Sequence, residues 1–262
     1  MSARVAPVFL ALLLALAGCG PRFVRPGAGP AVDPAPWVRA LEEHNRGPRQ
    51  LRLAGVLRSG AWGRARFGAA VAEGRGVRLD AVAGPFGTAA FVLACRADRC
   101  RVYVPGERRA VDLDTGGLWL GRVLLGRVPT VGPARAAWRT PEGGTVLLLE
   151  GPGGWTQEVE WGPEGRRPRR ARFVRQGRVE AEISWEGRVA GVGFWYPARI
   201  GLKLREPSAD YEMELTRVVP ADGLEPDLFV LRLPPGVTVE RAEGTEGWKP
   251  SRAPLWHRMP PG

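Results

Sequence analysis

LRLAGVLRS at residues 51–59, RARFGAAVA at 64–72 and RGVRLDAVA at 75–83 decide the fold of this chain. Apolar residues alternate with polar or small ones in each stretch, the period of a strand with one covered face. Glycine-bearing turns separate them, so the three predict an antiparallel meander. GPFG at 84–87 makes the next turn, and TAAFVLAC (88–95), CRVYVP (100–105) and RRAVDL (108–113) continue the sheet.

Upstream, PWVRALEEHN (36–45) has a proline start and apolar Trp37, Val38 and Leu41 at helical spacing, which predicts a short amphipathic helix. Downstream, GLWLGRVLLG (117–126) breaks the alternation and predicts a second helix ending at Gly126, with a further helical turn expected around Ala134–Trp138. Strands then resume as VLLLEG (146–151), WTQEVEW (155–161), RARFVRQ (170–176), RVEAEISWE (178–186), FWYPARIGLKL (194–204), YEMELTRVV (211–219) and LFVLRLP (228–234). The expected fold class is mainly β (α+β): one large, curved antiparallel sheet with two or three helices. A sheet of that length must close, curl or be covered, because open edges invite aggregation. Leu118, Trp119, Leu120, Val123 and Leu124 leave the second helix almost no polar side, which suits it to cover the concave face. A plain core helix would have the same composition.

The N-terminus reads differently. Met1–Arg4 is basic, Val5–Leu16 is apolar, and small residues follow, the order of a secretory signal. The apolar run is shorter than the roughly 20 residues a bilayer span needs. Leu16-Ala17-Gly18-Cys19 resembles the lipobox of bacterial lipoproteins, which implies cleavage after residue 18 and acylation of Cys19. Gly20, in place of the aspartate that retains such proteins in the inner membrane, favours the outer membrane and its periplasmic face. Residues 19–36 are rich in Pro, Gly and Ala and read as a flexible tether. Residues 37–240 form the expected domain, and 241–262, with Trp248 and Trp256, a polar, mobile tail. The net charge is +11 and almost wholly arginine, the only lysines being Lys203 and Lys249. Export excludes nucleic acid as the partner of that charge and leaves anionic lipid open.

Cys95 and Cys100 flank Arg96-Ala97-Asp98-Arg99, read as the turn of a hairpin. They would face each other across it, within disulfide range in an oxidising periplasm, with two free thiols as the alternative. The only histidines are His44 and His257, and neither has a metal-spaced partner. No nucleophile elbow, phosphate loop or dinucleotide fingerprint occurs, and no cofactor is expected. Glu158 and Glu160, like Glu180 and Glu182, share one face of a strand, and a glycosidase could use such paired carboxylates. Solvent-facing strand positions account for them more simply, and an enzyme is not expected.

In element order the chain resembles the outer-membrane lipoprotein receptor family, LolB, and more distantly its soluble carrier, LolA. The resemblance rests on the anchor, the first helix, the strands beginning LRLAGVLRSG, the LDAVAGPFGTAAFVL turn, the apolar helix and Trp195-Tyr196-Pro197-Ala198-Arg199-Ile200. It implies an unclosed β-barrel of about eleven antiparallel strands with helices plugging a hydrophobic cavity. It further implies a monomer that takes acyl chains of lipoproteins or phospholipids, receives them from a soluble periplasmic carrier and delivers them to outer-membrane lipid. In that family a protruding leucine on the turn helps membrane insertion; Phe86, held between Gly84-Pro85 and Gly87, stands in its place. Phe86 folded back as core is the competing reading of the turn. An orphan lipoprotein of the same fold with a structural or assembly role is the alternative function, and an envelope hydrolase a remote one.

Overall fold

A computed structural model describes residues 29–59, 63–84, 87–96, 99–113, 117–205 and 209–242. Strand Ala31–Val32 (β1) and helix Ala35–His44 (α1) come first. Gln50–Ser59 (β2) then opens an antiparallel meander through Gly63–Ala72 (β3), Gly76–Ala83 (β4), Thr88–Arg96 (β5), Arg99–Val104 (β6) and Arg109–Leu113 (β7). Helix Gly117–Leu124 (α2) carries the chain to the opposite edge, where Ala134–Arg139 (β8) starts a second meander. This runs through Thr145–Glu150 (β9), Trp155–Trp161 (β10), Pro168–Arg175 (β11), Arg178–Glu186 (β12), Arg199–Leu204 (β13) and Ala209–Pro220 (β14). β14 pairs with β2 and joins the halves into one sheet, and Thr238–Ala242 (β15) lies parallel to β7 at its edge.

The sheet is unclosed, with β1 and β15 at its ends, and has fifteen strands where about eleven were expected. It must nonetheless curl. β4 and β11 stand six steps apart in the strand order, about 29 Å on a flat sheet. Yet α2, about 12 Å long, reaches both: the Trp119 ring lies 5.7 Å from Phe173 of β11, and a β-carbon on Gly121 would sit 3.4 Å from Val77 of β4. The inner face is apolar on both halves, as alternation dictates; Leu51, Leu53 and Leu57 of β2 face inward opposite Val71, Ala69 and Ala65 of β3.

Several expectations change. Ala134–Trp138 is strand rather than a helical turn, because β9 supplies ladder partners along its length. Phe194–Ala198 is irregular, and the strand begins only at Arg199. LFVLRLP is not a strand: Pro226–Phe229 is a 3-10 turn, and the ladder resumes at Thr238. The first pairing precedes residue 37, since Ala31 and Val32 pair with Trp138 and Ala137, and β15 runs past residue 240.

The return from β14 to β15 crosses the convex face. Phe229 and Leu224 bury there against Ala70 and Ala72, so the end of β3 is covered on both sides. This explains why GAAVA at 68–72 loses the polar alternation of the strand's first half. Gly76 makes room for Phe229: a β-carbon there would lie 2.8 Å from the Phe229 Cβ and 2.4 Å from the Cys95 carbonyl oxygen.

Candidate functional site

The concave face and its two helical covers form the candidate site. In α2, Val123 and Leu124 are fully buried, while Trp119 and Leu120 are half-buried against the sheet. The side chain of Leu118 lies outside the described residues. Large side chains fill the space beneath the helices: Trp161, Tyr196, Leu51, Leu147, Ile183 and Ile200 are each less than 2% exposed. α2 is therefore a packed plug in this conformation.

Residues 125–131, which lead from α2 to β8, are pinned by polar side chains. Gln157, fully buried on the inner face of β10, donates to the Pro129 carbonyl at 2.7 Å and accepts from the Val131 N–H at 3.1 Å. Asn45, the C-cap of α1, exchanges two hydrogen bonds with the Val128 backbone, at 2.9 and 3.1 Å. Buried Arg127 donates to the carbonyls of Gly47 and Pro48 and pairs with Glu73. The Tyr196 hydroxyl donates to the Leu124 carbonyl, and burial pushes its phenol well above the ordinary range, so it stays a donor. These groups satisfy the carbonyls and amides a buried crossover would otherwise strand.

α1 sits on an aromatic floor. Trp37, Leu41 and His44 share one helix face, by i, i+4 and i+7 spacing. Trp37 packs 5.4 Å from Trp161 of β10; His44 lies 6.4 Å from Trp185 of β12 and 5.3 Å from Trp195. Exposed Arg139 and Arg167 lie over the Trp37 and Trp195 rings at 5.7 and 5.6 Å, one at each end of the helix. The His44 imidazole is lowered to about 4, chiefly by burial and then by the Arg167 charge, against the opposing Gly126 backbone. The indole N–H groups of Trp161 and Trp185 make no hydrogen bond to the described residues. The sequence places Trp37 on the apolar side of the first helix and Trp195 in the Trp-Tyr-Pro element, but sequence reasoning singles out neither Trp161 nor Trp185, although each falls on the inward parity of an alternating strand.

On the outer face, Glu158 and Glu160 are 8% and 7% exposed, which corrects the expectation of solvent-facing carboxylates. Arg169 and Arg170 of β11 fold over Glu160 and each bind one of its oxygens. Burial tends to raise that carboxyl, but the two guanidiniums outweigh it and hold it below the usual range. With Trp138 and Pro141 these groups line a polar cleft of about 370 Å³. Glu182 pairs with Arg172 and Glu180 with Arg205.

Cys95 and Cys100 are register partners of β5 and β6 and are joined by a disulfide, and the ladder continues past them to the pair of Arg96 with Arg99. Gly84 and Gly87 take left-handed backbone angles at the turn between β4 and β5, and the Gly87 N–H donates to the Gly84 carbonyl. Pro85, Phe86, Leu16, Ala17, Gly18 and Cys19 lie outside the described residues. Among the described residues no helix is long and apolar enough to cross a membrane, and no three His, Cys, Asp or Glu side chains are grouped to hold a metal ion.

No protein-family model matches the chain, and no curated protein matches it in sequence. Among solved structures it is similar to a LolA superfamily protein from Nitrosomonas europaea, at 13% identity over 74% of this chain and 97% of that one, with a TM-score of 0.48. A domain assigned to outer membrane lipoprotein sorting from Vibrio parahaemolyticus matches at 14% identity over 73% and 94%, with a TM-score of 0.46. A DUF1329 family protein from Desulfovibrio piger matches at 11% identity over 76% and 98%, with a TM-score of 0.47. The chain is thus similar, at low identity, to LolA superfamily, lipoprotein-sorting and DUF1329 structures.

Proposed function

We propose that this protein is a lipid-anchored module at the periplasmic face of the outer membrane that takes acyl chains beneath its helices and assists their transfer. One observation carries the reading: the inner face of the curled sheet is predominantly apolar in both halves, and two short helices cover that face without joining its ladder. A 16-carbon chain in water costs on the order of 12 kcal/mol, at about 0.8 kcal/mol per methylene, and a shielded apolar pocket removes most of that penalty. Cys19 is the proposed anchor, and the turn Gly84-Pro85-Phe86-Gly87 the proposed membrane-insertion element. The ligand is the acyl portion of a lipoprotein or phospholipid, and no nucleic acid or cofactor enters the scheme.

The filled interior favours a second reading, an envelope protein of this fold with a structural role, in which the helices never leave the sheet. Mass spectrometry of lipids extracted from the chain carrying Cys19→Ala separates the two. Stoichiometric acyl lipid, or saturable uptake of a fluorescent fatty acid, is expected. No lipid and no uptake would leave the structural role. For the turn, Phe86→Glu should leave uptake unchanged and slow delivery to liposomes; unchanged delivery would remove it from the scheme.

A further inference from the structure

The groups beneath α1 are more polar than a hydrocarbon site requires. Trp161 and Trp185 are 0% and 3% exposed, and their two indole N–H groups have no hydrogen-bond partner among the described residues. Buried polar groups are nearly always paired, and one left unpaired asks for an explanation. Here two such side chains lie under one helix, Trp161 beneath Trp37 and Trp185 beneath His44. Gln157, on the same face of β10 as Trp161, spends its amide on the crossover instead. Nearby, Leu41 and Val159 are apolar and buried.

We propose that these groups form a subsite for the ester carbonyls of an acyl lipid, occupied when α1 lifts. The inference rests on the acyl-binding function proposed above and names which part of the lipid is recognised. Two indole N–H groups are donors only. That set matches uncharged carbonyl oxygens. A phosphate would be better served by guanidinium groups, and Arg139 and Arg167 lie exposed over the outer rings instead. The Asn45 pair with Val128 is the side-chain tie from the end of α1 to the rest of the fold, so lifting the helix would break few polar contacts.

The test uses the full chain with Cys19→Ala and two probe pairs: a dipalmitoylglyceryl lipopeptide with its dialkyl-ether counterpart, and a diacyl phosphatidylglycerol with its dialkyl-ether counterpart. Preference for the ester by about tenfold, the scale of one well-made hydrogen bond, is expected in at least one pair, and the pair that shows it identifies the source of the lipid. Trp161→Phe and Trp185→Phe should reduce that ester-over-ether ratio to under about threefold; lost packing acts on ester and ether alike and leaves the ratio where it was. Should either variant fail to fold, the indole N–H resonances of the otherwise unaltered chain answer the same question: at least one should shift with ester and not with ether. Equal affinity for ester and ether would overturn the subsite and leave acyl binding standing. Binding of neither form would overturn both.

Discussion

The Tyr196 hydroxyl donates a 2.5 Å hydrogen bond to the carbonyl of Leu124, so the loop before β13 holds the last residue of α2. Both residues are buried, at 1% and 0% exposure, and the carbonyl is one that a helix end leaves without an intrahelical donor. Gly126, at φ +72°, fits against the same ring: a β-carbon there would lie 3.2 Å from it. Tyr196→Phe keeps the packing and strands the carbonyl, and should cost about 1–3 kcal/mol. Urea denaturation should show a lower midpoint with an unchanged slope. An unchanged midpoint would mean that the bond does not hold α2.

His44 sets a pH dependence. Its imidazole is lowered from 6.5 to about 4 by burial, so the folded chain stays neutral there while the unfolded chain takes up a proton. Stability is therefore full above pH 6.5 and falls as the pH drops towards 4, by about 3 kcal/mol in all. His44→Leu should flatten that part of the stability profile. A wild-type profile already flat between pH 7 and 4, measured by chemical denaturation, would mean that the ring is not buried neutral.

Much of this was legible in residues and some was not. The alternation of LRLAGVLRS is a local signal, and β2 lies where it predicts. Ala134–Trp138 has helix-forming alanines, and only the neighbouring β9 makes it a strand, information no local window holds. Phe229 sits in an alternating stretch but serves as a plug on the convex face, and β15 pairs with a strand more than a hundred residues earlier. α2 could be seen because all its apolar residues lie in one short run. The floor under α1 could not, because Trp161, Trp185 and Trp195 lie on separate segments, and the curl that gathers them is a property of the whole sheet. Glu158 and Glu160 were given the right face and the wrong exposure, since the arginines that cover Glu160 belong to the next strand.

Gly76 and Phe229 should be energetically coupled. Gly76→Ala forces a methyl against the Phe229 side chain and the Cys95 carbonyl, and should destabilise by about 1–3 kcal/mol, the range for overpacking. Phe229→Ala opens the convex-face cluster at about 3–5 kcal/mol. In the double variant the methyl gains part of the vacated space, so the combined loss should be smaller than the sum. Strict additivity in thermal or chemical unfolding would show that Phe229 does not rest on Gly76.

Two positions in α2 separate the plug as structure from the plug as cover. Leu124 is fully buried at the helix end held by Tyr196, whereas Leu120 is half-buried one turn earlier and packs on the core from its rim. An arginine at Leu124 has no described carboxylate to meet it, and an unpaired buried charge costs several kcal/mol, so Leu124→Arg should unfold the domain or nearly so. At Leu120 the longer side chain can turn its guanidinium to water while its stem stays on the apolar surface, so Leu120→Arg should fold with a loss of about 1 kcal/mol. Its effect on lipid should be larger than its effect on stability. A charge at the rim of the cover puts a desolvation cost on any acyl chain that passes beneath it, and saturable uptake of a fluorescent fatty acid should weaken by about tenfold or more. A folded Leu120→Arg variant with undiminished uptake would mean that acyl chains do not enter beside α2.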